Sequence, residues 1–220
     1  MGTILVTTCL DDAATILQDE GYARFSEDEL LAWFNAAVRD IVALKPDANT
    51  ETEAVQLQAG TLQALPAEAI VLIDVPRNMG ADGETPGRII NEGNRGLLDA
   101  QHPSWQTDTA SATVLVYMYD PRRPKEFSVY PPQPAANQGY VDMVTSKMPA
   151  TAVLTEETRD TETIPLDDVY ANAIVHATVV RALLKDPEYA AVASKHLELT
   201  QVLLGTKEEV ESINEPHGGR

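Results

Sequence analysis

Apolar positions recur every three or four residues near both ends of the chain and in short runs between them, so the pattern predicts helices, then strands, then helices. Asp11 to Gln18 fits a short helix, with Asp11 and Asp12 at its positive end and Gly21 as its stop. A stronger start follows, because Ser26 with Glu29 three residues on makes a capping box. Leu30, Phe34, Ala37, Ile41 and Leu44 then share one face, and Trp33 and Val38 widen it. Pro46 ends this helix, since the residue before a proline is pushed out of the helical region.

Between about residue 50 and residue 165, prolines and glycines become frequent and apolar runs shorten to strand length. Val55 to Ala59 alternates, as a half-buried strand does. Ile70 to Val75 is nearly continuous between Pro66 and Pro76. Thr113 to Tyr119 is apolar on both faces, which predicts cover on both sides. Phe127 to Tyr130 and Tyr140 to Thr145 complete at least five strands, the pattern of a small sandwich or barrel. Asn78 to Pro86 reads as a turn-rich loop.

Helical texture returns after Pro165. Asp167 or Asp168 caps a helix from about Val169 to Lys185, apolar around most of its circumference and therefore buried. Asp186-Pro187 starts another, which carries Tyr189, Val192, Ala193, His196, Leu197, Thr200, Leu203 and Leu204 along one stripe and stops at Gly205. Helices at one end could not bury their stripes alone, because helical stability in water comes mainly from tertiary packing. The expected fold is α+β: a helical bundle from residues 1–50 plus 165–205, an inserted β-rich domain over 51–164, and a tail over 206–220.

Composition changes this picture little. Of 220 residues, 44% are hydrophobic and 23% charged, ordinary for a globular chain long enough to bury a real core. No apolar run approaches the roughly 18 residues of a membrane helix, and the opening Met1 to Val6 lacks both a basic signal-peptide start and a myristoylation pattern. Cys9 is the single cysteine, which excludes an intrachain disulfide and a multi-cysteine zinc site. The net charge of −18 excludes phosphate-backbone binding as a free body. It fits a solvated surface, or the acidic wall of a channel through which DNA slides without sticking.

Candidate chemistry is sparse. Gly80, Gly83, Gly87, Gly93 and Gly96 lack the spacing of a nucleotide loop, and no Gly-x-Ser-x-Gly elbow exists. His102 precedes a proline, His217 lies in the tail, and His176 and His196 have no second histidine three or four residues away, so satisfied histidines are expected and not metal ligands. Glu156, Glu157, Asp160 and Glu162 cluster in a polar segment, whereas a glycosidase acid needs an apolar pocket. Cys9 has no cation nearby to activate it. No catalytic residue, cofactor or metal is expected.

Five segments in order carry a resemblance: Trp33 to Val42 with Lys45-Pro46-Asp47-Ala48; Leu65-Pro66 leading to Arg77-Asn78-Met79-Gly80; Leu97 to Trp105; Tyr119-Asp120-Pro121-Arg122 through Pro124-Lys125 and Phe127 to Pro132; and Asp168 to Ala173 followed by Lys185 to Ala190. Together they span about residues 26 to 204, and the chain resembles the head-to-tail adaptor proteins of short-tailed bacteriophages. The resemblance implies a structural virion protein at the head–tail interface, assembled in the bacterial cytoplasm. Its partners would be further copies in a ring of twelve, the portal protein and a tail or nozzle protein, with genomic DNA passing through unread and no membrane anchor. A stopper, a tail-tube subunit and a peptidoglycan hydrolase stand as alternatives.

Arg122, Arg123 and Lys125 form the only dense basic cluster, suited either to fixing the register between subunits or to a solvated loop. Tyr130 with its prolines and Trp105 supply rigid surface suited to an interface, and Trp105 equally to a core. Val210, Ile213 and Arg220 mark a tail that either stays disordered or orders in a groove of the portal.

Overall fold

The computed structural model describes residues 2–214, with side chains through residue 205. The chain divides into two compact units, one spanning Asn49–Met148 and the other drawn from the segments on either side of it. The fold is α+β, with helices flanking a β-rich region.

The helical unit contains α1 (Val6–Ile16), α2 (Glu27–Leu44), α4 (Ala171–Leu183) and α5 (Ala190–Asn214). Ser26 caps α2 through the expected capping box, and Leu30, Phe34, Ala37, Val38 and Ile41 are buried along it. Leu44 leaves that stripe and is 74% exposed, because the helix ends there and its last turn passes the edge of the core. Helix α4 packs against α1, α2 and α5, and a helix apolar nearly all round is suited to that central place.

Several boundaries differ from the pattern. Helix α1 starts at Val6, not near Asp11, because Val6, Cys9, Leu10, Ala13 and Ala14 form its buried face and Asp11 and Asp12 ride mid-helix on the polar side. It stops before Gln18, whose φ is 55°, and not at Gly21. Asp167 caps a short 3-10 turn (Asp168–Tyr170) that leads into α4, so the α-helix proper begins at Ala171. Helix α5 runs through Gly205 to Asn214, since nothing crowds that glycine and its φ is not left-handed. Its buried stripe is narrower than expected: Ala193, Thr200 and Leu204 are buried, while Val192 and Leu197 are exposed.

The β unit pairs two four-stranded sheets. One has the order β1 (Thr50–Gln56), β8 (Tyr140–Lys147), β3 (Ala69–Met79), β4 (Pro86–Ile89). The other has the order β2 (Gly60–Ala64), β7 (Glu126–Gln133), β6 (Val116–Tyr119), β5 (Asn91–Glu92). All pairings are antiparallel except β5 with β6. Leu72, Val75, Val141 and Met143 from the first sheet and Tyr117, Phe127 and Val129 from the second join one buried cluster, which makes the unit a sandwich. Strand β6 buries both Tyr117 and Met118, on opposite faces, as its doubly apolar pattern implied. A short helix, α3 (Arg95–Gln101), capped by Asn94, was not evident in the pattern because all seven of its residues remain at least partly exposed. The β unit ends at Met148, short of the residue 164 to which the expected β domain ran.

Candidate functional site

A concavity of ≈ 640 Å³ in the β unit is lined by Leu62, Met118, Phe127 and Ser128 together with the Glu92–Gly96 loop and the Asp120–Arg123 turn. Its charges answer one another: Arg95 faces Asp99 at 3.7 Å, Arg122 holds Asp120 at 3.0 Å and Arg123 holds Glu126 at 2.5 Å. Arg122 keeps the Asp120 carboxyl below the usual carboxylate range, so Asp120 cannot serve as a proton donor near neutrality. A glycosidase acid needs the opposite shift.

The basic cluster of residues 122–125 therefore shapes its own turn. Asp120 accepts from the Arg122 backbone and guanidinium, Tyr119 Oη donates to the Pro124 carbonyl at 3.2 Å, and Lys125 Nζ donates to the Ala69 carbonyl. Arg122 nevertheless keeps 89% of its side chain exposed.

The structure joins Trp105, which is buried, and Tyr130, which is half-buried. Their rings meet edge to face at 6.3 Å, and Trp105 is 1% exposed within its own chain, which leaves that ring no free surface. Its Nε1–H donates to Asp99 at 2.7 Å. The Tyr130 hydroxyl donates to Asp108 at 2.9 Å, and His102 Nε2 bonds the same carboxylate at 2.7 Å. His102 first and Tyr130 second hold Asp108 below the usual carboxylate range. Asp108 was not evident in the sequence, lying outside every segment of the resemblance.

Three further polar residues clamp segments distant in the chain. Asn35 exchanges two hydrogen bonds with the Ala152 backbone. Asn78 donates to the Arg88 and Val114 carbonyls and accepts from the Val114 amide. Asp168 accepts from the Thr3 amide, the Thr3 hydroxyl and the Ile4 amide, tying the chain's start to the entry of α4. Glu156, Glu157 and Asp160 lie exposed in a turn, as their polar surroundings implied. Cys9 is buried, and burial pushes its thiol up to about 12, with Asp12 and Asp168 adding to the shift, which removes it as a nucleophile.

His176 on α4 and His196 on α5, unrelated by spacing, meet with their Nδ1 atoms 3.1 Å apart. Burial lowers the His176 pKa from its ordinary 6.5, and His196 opposite lowers it further. A group lowered in the folded state stabilises the fold above its ordinary value and loses that contribution as pH falls below it. The thermal midpoint should therefore fall as the pH is lowered through and below about 6.5, and His196→Gln should shrink that step. An unchanged step would show that the ring of His196 has no part in it. Among the described residues no group of three or more His, Cys, Asp or Glu side chains is arranged to hold a metal, and no helix is long and apolar enough to cross a membrane. Arg220 lies outside the described residues, as do the side chains of Val210 and Ile213.

The side chains of Asn35, Asn78 and Asp168 brace the chain's own backbone, and among the described residues none of the polar clusters above carries the marks of a catalytic centre. A protein-family model described as SU10 adaptor protein matches residues 5–216. The chain belongs to that family and is a phage adaptor, a structural component of the virion. A comparison with curated proteins found no match.

Proposed function

We propose that this adaptor assembles as a ring, on the model of twelve copies, beneath the portal of a short-tailed phage, and offers the platform to which the tail attaches around the DNA channel. The family match over residues 5–216 carries the reading. The charge of −18 supports it, because a channel wall with surplus carboxylates repels the duplex and lets it pass. Many copies of a modest contact then add up through multivalency. Arg122 is the member of its cluster most open to a neighbouring subunit, and residues 206–220 are proposed to reach the portal through Val210, Ile213 and Arg220.

Native mass measurement of the chain mixed with its phage's portal protein tests this. A complex carrying several adaptor copies is expected, and deletion of residues 206–220 should reduce portal binding while leaving the thermal midpoint close to that of the full chain. An adaptor that stays monomeric beside the portal overturns the reading.

A further inference from the structure

His176 on α4 and His196 on α5 approach each other as two ligands of one ion would. Their ring centroids lie 5.2 Å apart and their Nδ1 atoms 3.1 Å, so the rings point nitrogen to nitrogen and do not stack. An ion bound to two imidazoles at about 2.0–2.1 Å holds their nitrogens about 2.9 Å apart at a right angle and about 3.4 Å apart at a tetrahedral one. The pair falls inside that interval. Both rings are half-buried, which leaves part of each open to water.

The seam that carries them is firm. Ala173, Val179 and Val180 on α4 and Ala193 and Thr200 on α5 are buried in the flanking turns, and Thr200 Oγ1 donates to the His196 carbonyl at 2.9 Å. Burial first, and the facing ring second, keep His176 neutral at pH 7, and neutral imidazole is the form a metal takes. Neither helix has a metal-binding spacing of its own. The packing of one on the other supplies the second ligand.

We propose that His176 and His196 form a two-ligand site for a divalent transition ion of the Zn²⁺ or Ni²⁺ class, with water in its remaining positions, and that the bound ion clips α5 to α4. Imidazole suits these ions, whereas Mg²⁺ and Ca²⁺ take oxygen ligands. Without the ion, one Nδ1 carries the proton of an N–H···N bond. On binding, that ring carries its proton on Nε2 instead, both Nδ1 lone pairs reach the ion, and no net proton is released. The clip acts inside one chain and stands whether or not the chain forms a ring.

The full chain tests it, titrated with Ni²⁺ over excess Mg²⁺, which occupies surface carboxylates and not imidazoles. One ion should bind, and the thermal midpoint should rise with Ni²⁺. His176→Gln and His196→Gln should each weaken binding about 100-fold, because the second imidazole of a pair binds as an intramolecular event. His102→Gln and His217→Gln should leave it within about twofold, as distant sites do. Cu²⁺ on the unmutated chain should show two coupled nitrogens by electron paramagnetic resonance, a readout independent of how any variant folds. A midpoint that Ni²⁺ leaves unmoved, binding that survives both the His176 and His196 variants, or a copper spectrum without two imidazole nitrogens overturns the site.

Discussion

Trp105→Ala should cost about 3–5 kcal/mol of folding stability, the range for deleting a fully buried large aromatic side chain. The loss has two sources. A cavity opens beside the Tyr130 ring, which gives up its edge-to-face contact. The Asp99 carboxylate loses the indole donor and keeps Arg95 at 3.7 Å. Trp105→Phe retains most of the apolar volume and should recover the larger part of the loss. Urea unfolding of the three proteins measures this through the transition midpoint at constant slope. A Trp105→Ala loss under about 1 kcal/mol would mean that the site collapses around the deletion, or that the indole packs elsewhere. The experiment also bears on function, because a ring buried this deeply in one chain contributes to assembly through the shape of the sandwich and not through its own surface.

Local rules were legible in the sequence and distant partnerships were not. The capping box at Ser26 and Glu29 is written in four consecutive residues, and it forms as read. The apolar circumference of α4 and the doubly apolar β6 announced their burial in the same way. By contrast, the end of α1 depends on Gln18 adopting a φ of 55°, which glutamine does not advertise. Gly205 marks a stop by propensity, yet α5 continues through it, since one glycine costs a helix only about 1 kcal/mol. The segments that carried the resemblance turn out to be where the clamps sit: Asn35, Asn78 and Asp168 bond backbone 117, 36 and 165 residues away. Nothing in the spacing of a single asparagine names such a partner. The lone histidines are the sharpest case, because no helical period relates His176 to His196, and only the packing of α4 on α5 brings them together.

Asn35→Leu should cost about 2–6 kcal/mol, because it leaves two buried backbone groups without partners at about 1–3 kcal/mol each. Asn35 is buried on α2, its Nδ2 donates to the Ala152 carbonyl at 3.0 Å, and its Oδ1 accepts from the Ala152 amide at 2.8 Å. Leucine matches the volume and answers neither group. Asn35→Asp separates the two bonds. The ionised carboxylate still accepts from the amide but faces the carbonyl oxygen, so burial and that repulsion raise its folded-state pKa. A carboxyl raised in the folded state destabilises the fold at high pH and progressively less as pH falls, when the protonated form donates to the carbonyl. The Asn35→Asp variant should therefore close part of its gap to wild type between about pH 7 and pH 5, while the gap of Asn35→Leu stays constant. Paired urea titrations across that range separate the two. Parallel curves would show that water reaches Ala152 when Asn35 is replaced, and that the clamp is a weaker tie between α2 and the segment after β8 than its geometry implies.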